Sequence, residues 1–164
     1  MLGGARAGVN CGASRAFTGP LGTARLRRVD LREHYAGRLA VVTGAGGFVG
    51  SHLVDALLDA GARVRAVDRR PPAECTNLAG ARRRIEPVTA ALADIDALVA
   101  AFRGAEYIFH LAANPSVPDS VRDATTDFEA NAVGTLHVVE AFRRAGAGRI
   151  VFTSTAAVYG EPVR

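Results

Sequence analysis

Thr43-Gly44-Ala45-Gly46-Gly47-Phe48-Val49-Gly50-Ser51-His52 is the stretch on which the reading of this chain turns. It follows a short apolar segment, Leu39-Ala40-Val41-Val42. It opens a helical pattern from Phe48 to Ala60, in which Val49, Leu53, Ala56, Leu57 and Ala60 share one stripe. Gly44, Gly47 and Gly50 therefore stand where a buried strand turns into the N-terminus of a helix. Unpaired backbone N–H groups and the positive end of the helix dipole converge there, which favours a phosphate. Side chains would block that approach, so the stretch reads as a dinucleotide-binding loop.

The residues downstream agree. Gly61 is placed to end the helix, and Arg63-Val64-Arg65-Ala66-Val67 reads as a second strand. Asp68 ends that strand, where a carboxylate can accept both hydroxyls of an adenosine ribose. A 2′-phosphate at that point would meet like charge, so NAD is favoured over NADP. Arg69 and Arg70 pull the other way, since guanidinium groups can host a phosphate.

From here the pattern alternates. Strands are expected at Leu39–Thr43, Arg63–Val67, Ile85–Val88, Tyr107–Leu111 and Arg149–Phe152. Helices are expected at Phe48–Ala60 and Asp94–Phe102, and a long one from about Ser120 to Arg144 is stopped by Gly146. A polar connection rich in Pro and Arg spans Arg69 to Arg84. Such alternation implies an α/β fold, a doubly wound parallel sheet of Rossmann type with strand order 3-2-1-4-5. Residues 1–36 are rich in Gly, Ala and Arg without an apolar period, and read as a disordered extension. Residues 37–164 form the dinucleotide-binding domain, which stops after strand five.

Composition narrows the function classes. At 164 residues there is room for one domain with a sizeable core. No apolar run approaches the length that crosses a bilayer, so no membrane partner is expected. Cys11 and Cys75 form no metal or redox motif and suit a reducing, cytoplasmic setting. The net charge of +4 is accounted for by arginines among residues 1–29, where there is no acid. No basic patch interleaved with aromatics accompanies it, which argues against nucleic-acid binding. Every basic residue of Lys/Arg type is arginine, and lysine is absent.

In a sheet of this order ligands lie beyond the carboxyl ends of strands one and four. After strand four come His110-Leu111-Ala112-Ala113-Asn114-Pro115. Ala112 and Ala113 would let a cofactor ribose approach the backbone, and His110 reads as a satisfied core histidine. Asn131 interrupts the apolar face of the long helix in Asn131-Ala132-Val133-Gly134-Thr135. A buried amide needs partners. It would hold either the loop after strand four or the active-site end of strand five, a solvent-facing position being the alternative. Strand five runs into Thr153-Ser154-Thr155, whose hydroxyls could orient a substrate oxygen.

Together, Thr43–His52, Asp68, His110–Ala113, Asn131–Thr135 and Val151–Gly160 resemble the extended short-chain dehydrogenase/reductases, in particular the NAD-dependent nucleotide-sugar epimerases and dehydratases. The resemblance covers about residues 38 to 162. It implies a tightly held NAD that oxidises a sugar hydroxyl and later returns the hydride, with a nucleotide sugar as substrate. By match to the family's motifs, Gly44, Gly47, Phe48 and Val49 cradle the pyrophosphate and Asp68 binds the adenosine ribose. Leu111, Ala112 and Ala113 line the cofactor, Asn131 supports it, and Thr153 and Ser154 flank the nicotinamide. Thr155 takes the place of the catalytic Ser/Thr that hydrogen-bonds the reacting oxygen. A homodimer through the long helix is also implied, weakened here because the family's second dimer helix is not in the chain.

Two departures stand out. The family's adenine-binding acid is matched by Ala91, beside Leu92, which is kept as a candidate cofactor contact. The family's general base is a Tyr four residues before a Lys. Tyr159 belongs to the strand-five motif and has Val163 four residues on, while Tyr35 and Tyr107 have no Lys either. That Lys lowers the Tyr pKa in the family, and losing a positioned base costs on the order of 10²–10⁴-fold. The expectation is therefore the NAD-binding part of an epimerase or dehydratase, truncated in mid-motif at Gly160-Glu161-Pro162, that binds NAD without turnover. A standalone, non-catalytic NAD-binding module or sensor is the alternative.

Overall fold

The computed structural model describes residues 30–155 together with Val158 and Gly160. Residues 1–29 of the expected extension, Ala156, Ala157, Tyr159 and residues 161–164 lie outside the described residues. Five parallel strands form one sheet: β1 Leu39–Thr43, β2 Arg63–Asp68, β3 Ile85–Thr89, β4 Tyr107–His110 and β5 Arg149–Phe152. Their order is β3-β2-β1-β4-β5, as the alternation required. Thr43 pairs with Val67 on one side and with His110 on the other, so the carboxyl ends of β2, β1 and β4 finish side by side.

The two faces of the sheet bury different helices. Ala40, Val42, Val64, Ala66 and Phe109 pack against Val54, Leu57 and Leu58 of α2, Phe48–Asp59. Cys75, Leu78 and Ala81 of the connection join this side. Leu39, Val41, Val67 and Ile108 face Leu98, Val99 and Phe102 of α3, Ile95–Phe102. Val138 and Ala141 of Gly134–Ala145 complete that second core. Alternate residues of β1 thus serve opposite cores, and all five of its residues are buried.

The structure departs from the sequence reading in two places. Leu31–Tyr35 (α1), inside the stretch expected to be disordered, forms a short helix capped by Asp30, whose carboxylate accepts the Arg32 amide at 2.9 Å. Tyr35 supplies its anchor, with its ring 5.0 Å from that of Tyr107. Composition hid this turn because non-local contacts, the Tyr35 ring against Tyr107 and Phe109, and no periodic pattern, hold it.

The long helix expected from Ser120 is broken. A helix Val117–Arg122 stops at Asp123, which leaves helical geometry and accepts the Thr126 amide at 3.0 Å. Ala124–Phe128 follows, and Glu129–Val133 then takes one wide π-type turn before Gly134–Ala145. Asp123 is an N-cap in mid-sequence, and its competing local bond ends one helix and starts another. Gly146 closes the last helix in the left-handed conformation, as expected.

Candidate functional site

The glycine loop is shaped first by the protein's own backbone. Gly44 has a φ of +68°, and a Cβ there would stand 2.8 Å from the Ala112 backbone. A Cβ on Gly50 would stand 2.2 Å from the Gly44 carbonyl oxygen. These two glycines let β1, the β4 loop and α2 close on one another. Gly47 plays a different part. It is the N-cap of α2, its Cβ position meets only the Gly44 carbonyl at 3.2 Å, and no side chain caps the helix. The leading amides of α2 are left for an acceptor from outside, with Phe48 and Val49 exposed beside them.

Asp68 flanks this loop. Its Oδ2 accepts the Gly46 amide at 2.9 Å, and its Oδ1 accepts the Arg70 amide at 3.0 Å. The structure so brings the end of β2 against the loop after β1. Asn77 donates its side-chain amide to the Gly46 carbonyl at 3.1 Å, tying the 69–84 connection to the same point. Gly46 and Asn77 were not among the sequence-derived site residues because their partners lie far along the chain.

On the other flank, a cleft of about 590 Å³ opens beyond β4 and β5. Ala112, Ala113, Asn131, Thr153, Ser154 and Thr155 line it, six of the residues singled out from sequence. Leu111 sits at its root, with its amide on the Thr43 carbonyl at 3.3 Å. Leu92 is elsewhere: its side chain packs into the core beside Gly134, and its carbonyl accepts from His137 at 2.9 Å. That packing commits the side chain to seating the last helix against α3.

Asn131 does what an amide in an apolar face must do. Its Oδ1 accepts the Asn114 amide at 2.7 Å, and its Nδ2 donates to the Asn114 carbonyl and to Asp127, each at 3.1 Å. The wide turn at Glu129–Val133 presents it to the loop. The side chain is thereby spent on the loop after β4, and it shapes the cleft through Asn114. Thr153 is similarly engaged: its hydroxyl donates to the His110 carbonyl at 3.0 Å, extending the β4–β5 ladder.

A directed chain of hydrogen bonds runs beneath the cleft. The Thr135 hydroxyl donates to the Asn131 carbonyl at 2.6 Å, so its oxygen must accept from His110 Nε2 at 3.2 Å. That assigns the ring proton to Nε2 and makes Nδ1 the acceptor of the Thr43 hydroxyl at 2.7 Å. Thr43 in turn accepts the Ala112 amide at 3.3 Å. Burial holds the His110 pKa down to about 4, so the ring is neutral and the chain intact at ordinary pH. His110 is the satisfied core histidine its neighbours implied, with every ring nitrogen partnered.

Two recognition features therefore meet at the carboxyl end of one sheet: an uncapped helix N-terminus with an acid beside it, and a cleft floored by alanines and rimmed by hydroxyls. No group of residues suited to a metal occurs among the described residues. Among them, no helix is long and apolar enough to cross a membrane.

The sequence profile of the NAD dependent epimerase/dehydratase family matches residues 40–164. UDP-glucose 4-epimerase of Mycolicibacterium smegmatis is 44% identical over 127 residues, which cover 74% of this chain and 40% of that protein. A 3 beta-hydroxysteroid dehydrogenase/Delta 5-->4-isomerase of Mycobacterium tuberculosis is 39% identical, over 72% of this chain and 32% of its own length. Among solved structures, UDP-glucose 4-epimerase of Thermus thermophilus in complex with NAD aligns at a TM-score of 0.63 with 35% identity, covering 71% of this chain and 37% of that one. The chain spans about 40% or less of the length of these proteins.

Proposed function

The chain belongs to the NAD dependent epimerase/dehydratase family, and on that premise we propose that it is the NAD-binding portion of a nucleotide-sugar epimerase or dehydratase. The observation that carries the reading is the pairing of the uncapped α2 N-terminus with the Asp68 carboxylate, fixed on the same loop by the Gly46 amide at 2.9 Å. An anion with a vicinal diol one ribose away is the ligand these two features suit together. NAD, when bound, supplies reversible oxidation of a sugar hydroxyl.

In this reading Gly44, Gly47, Phe48 and Val49 offer the pyrophosphate their close backbone approach and their amides. Asp68 accepts from the ribose hydroxyls. Ala112 and Ala113 floor the cleft, and Leu111 anchors that floor to β1. Ser154 and Thr155 present hydroxyls toward the reacting end, while Thr153 and Asn131 brace the loops that carry them. With no lysine in the chain, the Tyr–Lys base of the family is not supplied by these residues, so NAD is bound without turnover. Val121, Phe128, Leu136 and Val139, exposed along the broken helix, are the surface on which a family-type homodimer would form. The cytoplasm, where thiols stay reduced, is the setting proposed for a buried free Cys75.

Titration calorimetry of the 164-residue chain with NAD and NADP tests the reading. Saturable binding of NAD, weaker for NADP and weakened but still measurable in Asp68→Ala, is the expected result. Absence of saturable NAD binding, or a preference for NADP, would remove Asp68 from its role. Absence of turnover is tested by adding UDP-glucose to the NAD-loaded chain: reduction of the nicotinamide, or formation of an epimerised sugar, would contradict it.

A further inference from the structure

Asp68 has a partner that the cofactor reading does not use. Arg70 places both its backbone amide (3.0 Å) and its side-chain Nε (3.3 Å) on Asp68 Oδ1, while the Gly46 amide holds Oδ2. The guanidinium is drawn back over the glycine loop, and a Cβ on Gly46 would stand 3.0 Å from its Nη2 and 2.5 Å from Cys75 Sγ. Arg69 and Arg70 were the residues that could have hosted a 2′-phosphate, and the second of them is turned onto the acid instead.

From this geometry we infer that Arg70 is a positioning residue for cofactor selection: it locks the Asp68 carboxylate in the orientation that receives a ribose diol, and that pairing keeps its guanidinium from a 2′-phosphate. The inference rests on the proposed binding of NAD. Three N–H groups, one on Oδ2 and two on Oδ1, fix the carboxylate plane, so its remaining lone pairs point in set directions. The Asp68 side chain is only 11% exposed, against 45% for Arg70. The carboxylate therefore cannot find an equivalent set of bonds in water by turning. To serve a 2′-phosphate, Arg70 would have to break a charge-assisted bond and leave that acid beside a second anion. The same two residues so favour NAD twice, once by orienting the acceptor and once by withholding the cation.

A double-mutant cycle on the full chain separates this role from direct contact. Calorimetric affinities for NAD and NADP are compared in wild type, Arg70→Ala, Asp68→Ala and the double variant, with a circular dichroism melt of each. Arg70→Ala is expected to weaken NAD by about tenfold in wild type and by less than about twofold in the Asp68→Ala background. In Asp68→Ala the freed guanidinium should raise NADP to at least parity with NAD, and the double variant should lose that gain. Arg70→Lys, which keeps the charge without the planar fork, should recover only part of the NAD affinity. Equal losses of NAD binding in both backgrounds, or no loss in wild type, would overturn the positioning role. A wild-type chain that binds no NAD would instead overturn the cofactor reading, and this inference with it.

Discussion

Strands β1 and β5 are both short and both apolar at their centres, Leu39-Ala40-Val41-Val42-Thr43 and Arg149-Ile150-Val151-Phe152, yet their surroundings are opposite. Every residue of β1 is buried, between α2 on one face and α3 with Gly134–Ala145 on the other. Val151 and Phe152 remain 42% and 57% exposed, on one of the two edge strands of the described sheet. Position in the strand order, and little in the residues themselves, sets this difference. The half of the candidate site that holds the glycine loop stands on the central strand, where backbone meets backbone with no room for a methyl group. The half bearing Ser154 and Thr155 stands on the strand with the least cover, and local stability should fall from one to the other.

The comparison can be broken most forcibly at Gly44. Gly44→Ala forces a Cβ into a left-handed residue and against the Ala112 backbone, at an expected cost of about 2–5 kcal/mol. Urea unfolding would read it, and a loss below about 0.5 kcal/mol would show that the β4 loop yields easily.

Acid sharpens the same contrast, because the chain through His110 joins the two halves. Its folded pKa of about 4 lies below the usual 6.5, so the unfolded chain binds the proton first as pH falls. The contribution is whole above about pH 6.5, is lost between there and pH 4, and amounts to about 2 kcal/mol between pH 7 and pH 5. Stability of His110→Phe should lack that component of the pH dependence. An identical pH profile in variant and wild type would count against it. The smallest effect is expected on β5: Phe152→Ala, which removes a ring stacked on His110 at 5.7 Å but open to water, should cost about 1 kcal/mol or less. A loss of several kcal/mol in a thermal melt would show that β5 is covered in solution.

Much of this architecture could be read beforehand because it is local. The strand limits followed from short apolar runs bounded by Gly and charged residues, and β1 and β5 fall on the residues expected. The loop at Thr43–His52 and the acid at the end of β2 needed only the order strand, glycines, helix, strand. What escaped was non-local or competitive. Asp123 reads as one more polar residue in a helical pattern until its carboxylate is seen capping Thr126. Nothing local to Leu92 showed that its side chain would pack beneath Gly134.

The amino-acid order was enough to specify a parallel sheet with a glycine-rich strand-to-helix turn at its centre, because periodicity, glycine and chain direction act over a few residues. It was enough, too, to place Asp68 beside that turn. Which groups Asp68 would hold, and whether Arg70 would face a ligand or an acid, depended on contacts between residues 46, 68, 70, 75 and 77. So did the choice of Asn114 as the partner of Asn131. Such contacts exist only once β1, β2 and β4 lie in register, since a hydrogen bond requires its donor and acceptor within about 3 Å and sequence distance carries no such information.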